Sequence, residues 1–207
     1  VSAEFEKGKI HFVRGKNGVG KSTLFRILRG DVSKHEFLSG EVSVEGEAFV
    51  VKKGGRFPDS FSGSVKLVSQ RFDSMLADQL SFSENLKMAN LLEYPGFGTM
   101  PDHKEVPAFI SEQKIPLDQP VHLLSGGQRQ ILAILMVLQK PTKVLLLDEP
   151  TAALDDKNSE LVVAFLKELA QQLGIVVLII CHDKEMVDRF ADDYFFELLI
   201  EQKMDRR

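Results

Sequence analysis

The chain has 207 residues, 43% of them apolar and 27% charged, which is enough to bury a sizeable core in one compact domain, with or without an inserted lobe, and excludes a disordered chain. A formal net charge of −4 supplies no basic field, so nucleic acid is not the default partner. The longest apolar run, at 175–181, falls far short of the roughly 18 residues a membrane-spanning helix needs, and a single cysteine, Cys181, excludes an internal disulfide and reads as a buried thiol in a reducing cytosolic setting.

In chain order, the stretch VSAEFEKGKIHFVRG at 1–15 reads as the middle of a hairpin rather than a signal peptide, with a further segment expected upstream. KIHFVR at 9–14 is a strand, and STLFRILR at 22–29 is a helix closed by Gly30. SGEVSVEGEAFVV alternates polar and apolar and predicts a half-exposed antiparallel pair. SVKLVS leads to Gln70. Residues 71–123 hold five of the eight prolines and no long strand, and they read as a smaller, mainly helical lobe. KVLLLD at 143–148 and GIVVLIIC at 174–181 are continuous apolar runs, as expected of parallel strands buried on both faces. Between them Leu161, Val162, Phe165, Leu166, Leu169 and Leu173 share one helical face, and Gly174 ends that helix. Short strands alternating with amphipathic segments predict an α/β sheet with helices on its faces.

Three stretches carry chemistry. GKNGVGKST, Gly15, Lys16, Asn17, Gly18, Val19, Gly20, Lys21, Ser22 and Thr23, follows a strand and opens a helix, the context a phosphate-binding loop requires. Glycines let consecutive backbone N–H groups converge, the helix start adds positive potential, Lys21 brings a full charge, and Ser22 offers a hydroxyl to magnesium. VLLLDEPT at 144–151 puts Asp148 at the carboxyl end of a buried strand, where ligands bind in open α/β folds; there it can hold magnesium through water. Glu149 beside it is positioned to deprotonate a water, and Pro150 stops the strand. An acidic pair after a strand is commonly just a solvated strand end; the phosphate loop gives this one its meaning. LLSGGQRQ at 123–130 places Ser125 at a helix start with Gly126 and Gly127 behind it, a second anion-binding helix start. One chain seldom needs two for one nucleotide, but two copies meeting head to tail would let the clamp of each close on the phosphate held by the other.

With these residues in place the chain resembles an ATP-binding-cassette (ABC) ATPase over nearly its whole length. The family's motifs stand in order as GKNGVGKST, Gln70, LSGGQ at 124–128, VLLLDE, AALD at 152–155 and His182. The resemblance implies a P-loop NTPase core with a mainly parallel sheet flanked by helices, an antiparallel β subdomain and an inserted helical subdomain, with 1–70 and 124–207 as core and 71–123 as the insert. It implies ATP and Mg2+ as ligands, with Ser22, Gln70 and Asp148 toward the metal and Gln70 also sensing the γ-phosphate. It further implies that Ser125, Gly126, Gly127 and Gln128 clamp the opposing subunit's nucleotide, that Asp155 links the two sites, that Glu149 is the general base, and that His182 meets the γ-phosphate. The partners implied are a second ABC subunit, identical or not, and a separate transmembrane permease met by the helical insert, with the chain peripheral on the inner face of the membrane. The stretches SGGQRQILAILM and TAALD suggest importers of small solutes. A soluble ABC ATPase, such as one assisting iron–sulfur cluster assembly, is the alternative, and a non-hydrolysing nucleotide-gated module is a third. Three departures stand out: no aromatic lies far enough before Gly15 to stack on adenine, Ala152 takes the place of the usual D-loop serine, and the segment after His182 lacks the glycine turn common before the last strand.

Overall fold

The computed structural model describes residues 3–30, 40–51, 57–91, 108–182, 188 and 195–197. A five-stranded sheet runs through the centre in the order β4 (Val65–Val68), β5 (Val144–Asp148), β6 (Val176–Ile180), β1 (Ile10–Arg14), β7 (Phe195–Glu197), and every neighbouring pair in it is parallel. Because side chains alternate across a strand, one face of the sheet takes Phe12, Leu145, Leu147, Val177 and Ile179, the other Val13, Val144, Leu146, Leu178 and Ile180. Both faces are covered, which is why β5 and β6 read as unbroken apolar runs.

On the first face lie α5 (Gly126–Val137) and α6 (Asp156–Leu173), through Ile131, Ile134, Val162, Phe165 and Leu166. The second face carries α1 (Lys21–Leu28) through Phe25, α2 (Asp59–Ser64) through Phe61, and the antiparallel pair β2 (Gly40–Val44) and β3 (Glu47–Val51) through Val42, Val44 and Phe49. Phe61 lies between Phe49 and Phe57, at centroid distances of 4.7 and 4.8 Å, within the range where aromatic pairs attract. The described part of residues 71–123 holds a 3-10 turn at Phe72–Met75, α3 (Phe82–Leu91), α4 (Ala108–Glu112) and a second 3-10 turn at Val121–Leu123, joined by turns and by one isolated bridge between Ser81 and Pro120. Phe82, Leu86, Phe109 and Ile110 join the same core as α5 and the sheet. Residues 92–107 of this stretch, and 183–187, 189–194 and 198–207 at the far end, lie outside the described residues.

Two expectations need correction. In the stretch 1–15, read as the middle of a hairpin, residues 3–6 form no strand before the turn at Lys7–Gly8, and β1 after it pairs with the parallel strands β6 and β7. Leu173, placed by periodicity on the buried face of α6, is 53% exposed, in a last turn where Gln171 and Gln172 are exposed too, before Gly174 closes the helix with φ 60°. Cys181 is buried as expected.

The β2–β3 hairpin turns on Glu45 and Gly46, both with positive φ, the two-residue turn whose twist matches its strands. Its tip is fastened to the main sheet by the Glu45 carboxylate, which takes hydrogen bonds from Lys143 at 2.7 Å and from Lys7. Lys143 and then Lys7 hold the Glu45 carboxyl down at about 2.

His11 faces the buried interior of β1, with Nε2 3.0 Å from the Glu6 carbonyl and its ring edge-on to Phe5. Burial lowers its pKa below the ordinary 6.5, outweighing the Glu6 carbonyl and carboxylate that raise it. The unfolded chain therefore takes up the proton first as pH falls, so this contribution to stability is full above pH 6.5 and is lost below it. Thermal unfolding between pH 7.5 and 5.5 should show the melting temperature falling with pH, and His11→Gln should flatten that slope; an unchanged slope would remove His11 as the cause.

Candidate functional site

The phosphate loop begins where β1 ends. Gly18 and Gly20 adopt φ 77° and 101°, and a Cβ at either would meet nothing within 4 Å. Glycine is needed there for the backbone conformation, which L side chains resist, rather than for space. Val19 N–H donates to the Lys16 carbonyl at 3.2 Å, curling the loop, and α1 starts at Lys21 with no side-chain cap and no acidic residue in its first turn. Such a start presents N–H groups and positive potential to an anion. Lys21 is buried, and its ammonium donates to the Gly15 carbonyl at 2.7 Å and the Lys16 carbonyl at 3.1 Å. Burial lowers its pKa, opposed by the negative charges of Glu149 and Asp148, which act on it from the end of β5. Lys16, Asn17 and Ser22 are exposed, while Val19 and Thr23 are half-buried.

The two carboxylates stand at the carboxyl end of β5, with Asp148 in register with Ile180 of β6. Glu149 then turns sharply. Its φ is 53°, a left-handed conformation uncommon for a residue other than glycine, and its N–H donates to the Ile180 carbonyl at 3.0 Å. His182 comes off the end of β6 and sets Nε2 2.9 Å from Glu149 Oε1, a distance at which Nε2–H donates to the carboxylate. Gln70 is exposed just past the end of β4. The Lys21 loop, Gln70, Asp148, Glu149 and His182 thus all issue from the same edge of four adjacent parallel strands, where open α/β sheets bind ligands.

For magnesium the relevant donors are oxygens: the Ser22 hydroxyl at the first turn of α1, the Asp148 carboxylate, and the Gln70 amide oxygen. No cluster of three or more His, Cys, Asp or Glu able to cage a metal exists among the described residues. A few protein oxygens around a phosphate-bearing ligand is the arrangement that suits magnesium, which keeps waters and shares phosphates; the residues fit.

The LSGGQ segment forms a second, separate constellation. Ser125 caps α5 with a complete capping box: its hydroxyl oxygen accepts from Gln128 N–H at 3.3 Å, and Ser125 N–H donates to Gln128 Oε1 at 3.0 Å. Gly127 is explained by packing as well as by anion binding. A Cβ on Gly126 would stand 2.7 Å from Leu154 Cδ2, and one on Gly127 2.8 Å from Asn158 Oδ1 and 3.2 Å from the Asn158 carbonyl. At Gly127 the approach involves the α6 backbone and leaves little room for a side chain, whereas at Gly126 the close atom is the end of the Leu154 side chain. Asp155 caps α6 by accepting from Asn158 N–H at 2.8 Å. Asn158 was not legible as a site residue, although an amide three residues past a capping aspartate is a weak pointer; it joins Asp155 to Ser125 and Gly127.

Comparisons with known proteins show the family. A family model described as ABC transporter matches residues 1–152. The chain is 31% identical over 200 residues to the phosphonates import ATP-binding protein PhnC of Treponema denticola, covering 93% of this chain and 76% of that one. It is 30% identical over 198 residues to the arabinose import ATP-binding protein AraG of Rhizobium meliloti, covering 93% of this chain and 37% of that protein. Among solved structures it resembles cbiO1 from Clostridium perfringens, part of the ABC transporter complex cbiONQ, with a TM-score of 0.67 at 25% identity, covering 96% of this chain and 76% of the other. With the loop, the strand-end carboxylates and the LSGGQ helix start in these positions, the chain belongs to the ABC transporter family as an ATP-binding, ATPase subunit.

Proposed function

We propose that the chain binds MgATP between two subunits arranged head to tail, hydrolyses it with Glu149 as base, and couples the cycle to a separate membrane permease that imports a small solute. The observation that carries the reading is the convergence of Lys21, Asp148, Glu149 and His182 on one sheet edge, while Ser125 and Gly127 lie on a different helix start. The relatives' names, import proteins for phosphonates and for arabinose, favour a transporter over a soluble machine. No described helix is long and apolar enough to cross a membrane. The permease is proposed as a separate chain on the strength of the relatives' names as ATP-binding proteins, with this one peripheral on the inner face. The helical stretch 71–123, read as an inserted subdomain, is assigned the surface that meets it.

In this reading the loop N–H groups and Lys21 hold the β- and γ-phosphates, and Lys21 exchanges its carbonyl contacts for phosphate oxygens. Magnesium, when bound through Ser22, Asp148 and Gln70, neutralises charge on the phosphates. A water in line with the γ-phosphorus gives its proton to Glu149 as its oxygen bonds to phosphorus, and the bond to the ADP oxygen breaks. His182 holds Oε1 of Glu149, which leaves Oε2 to take that proton; reaching the γ-phosphate itself requires His182 to exchange this bond. The test is purification of the tagged chain from detergent-solubilised membranes of its native cells. Recovery of a polytopic membrane protein in stoichiometric amount is the expected result; recovery only as a soluble assembly would overturn the transport role.

A further inference from the structure

Ser125 and Gly127 are assigned above as donors to a phosphate carried by a second subunit, and the following rests on that assignment. In this structure both donors are already engaged within the chain. The Ser125 hydroxyl donates to Asn158 Oδ1 at 2.8 Å, and Gly127 N–H donates to the same oxygen at 3.3 Å. The amide cannot be turned the other way: Asn158 Nδ2 donates to Asp155 Oδ1 at 2.9 Å, and an ionised carboxylate only accepts, so the oxygen must face α5. Gly127 supplies the room, since a Cβ there would stand 2.8 Å from Oδ1 and 3.1 Å from Asn158 Cβ.

A hydroxyl has one hydrogen to give. Ser125 therefore cannot donate to Asn158 and to a phosphate oxygen at once, and Gly127 N–H is aimed at the same competitor. We infer that Asn158 is an internal latch on the nucleotide clamp: its amide oxygen occupies the donors of Ser125 and Gly127 until a γ-phosphate displaces it. A phosphate oxygen is the stronger acceptor because it is charged, so the exchange favours nucleotide, but it must first break two bonds. The released amide remains tied to Asp155 at the start of α6, so phosphate docking at α5 is felt at the D-loop aspartate that leads back to Glu149. Asn158 is thus a positioning residue that sets how much ATP closure requires.

The test uses the full chain in a Glu149→Gln background and reads, by sizing column, the ATP concentration that half-converts monomer to dimer with magnesium present. Asn158→Ala removes the acceptor and keeps the backbone N–H that Asp155 caps; Asn158→Leu also removes it while retaining bulk beneath Gly127. Both should lower the half-conversion concentration by roughly three- to tenfold. A residue that merely supports the fold would shift it upward on truncation, so the direction separates the two roles. If the Glu149→Gln parent dimerises and either variant needs as much ATP or more, the latch is overturned while the clamp stands. If the parent does not dimerise at any ATP concentration, the clamp assignment fails and the latch falls with it.

Discussion

Glu149→Gln is expected to lower ATP turnover by roughly a hundred- to ten-thousand-fold, the range associated with losing a positioned base, while leaving ATP binding intact. The substitution is nearly isosteric. Glutamine keeps an Oε1 acceptor for His182, which sits 2.9 Å away, and leaves unchanged the backbone bond from residue 149 to the Ile180 carbonyl. Its left-handed φ of 53° is no harder for glutamine than for glutamate. Removing a negative charge that faces a polyanion also relieves repulsion, so nucleotide should be held at least as firmly as in the parent. Phosphate release and binding of a fluorescent ATP analogue, measured together, check both halves. Turnover close to the parent's would mean that another group takes the proton.

Lys21→Ala should weaken ATP binding by about 3 kcal/mol, roughly a hundredfold, the scale of two charge-assisted hydrogen bonds. The side chain is buried with its ammonium over the loop, donating to Gly15 and Lys16 carbonyls, so the loop already holds the charge where phosphate arrives. Burial pushes its pKa down and Glu149 and Asp148 push it up; the two carboxylates thus help keep it protonated as well as serving the chemistry. Lys21→Arg should not rescue binding, because a planar guanidinium is not a compact point charge and does not fit a pocket shaped by two carbonyls. Calorimetric titration with ATP and magnesium tests both variants; near-parental affinity in Lys21→Ala would dismiss the loop as the phosphate site.

Much of this was legible in the chain because the signals were local. β5 and β6 are continuous apolar runs since each is buried on both faces, and α6 showed its face by a 3.6-residue period, with Leu173 failing only in the exposed last turn. The loop and the Asp148–Glu149 pair were candidates by residue type beside a strand end, and His182 by the family resemblance. What the chain could not disclose depends on approach between distant segments. The order of the strands gives β1 two parallel neighbours, β6 and β7, which the stretch 1–15 alone, read as part of a hairpin, did not disclose. Asn158 matters because α6 passes against α5 more than thirty residues away in sequence, and that same approach accounts for Gly127 in a way that helix-start chemistry alone did not. The left-handed turn at Glu149 had no sequence signal, since glutamate is not a residue chosen for it.

The central claim, that each nucleotide lies between Lys21 of one subunit and Ser125 of another, is tested most directly by mixing two crippled chains. Lys21→Ala and Ser125→Arg, each in a Glu149→Gln background, should fail separately to retain ATP with magnesium on a desalting column. Mixed, they pair into a dimer with one doubly damaged site and one site whose loop and clamp are both intact, and about one ATP per dimer should be retained. If mixing restores nothing, while the Ser125→Arg chain alone retains ATP as fully as its parent, loop and clamp do not meet across an interface and the account is contradicted.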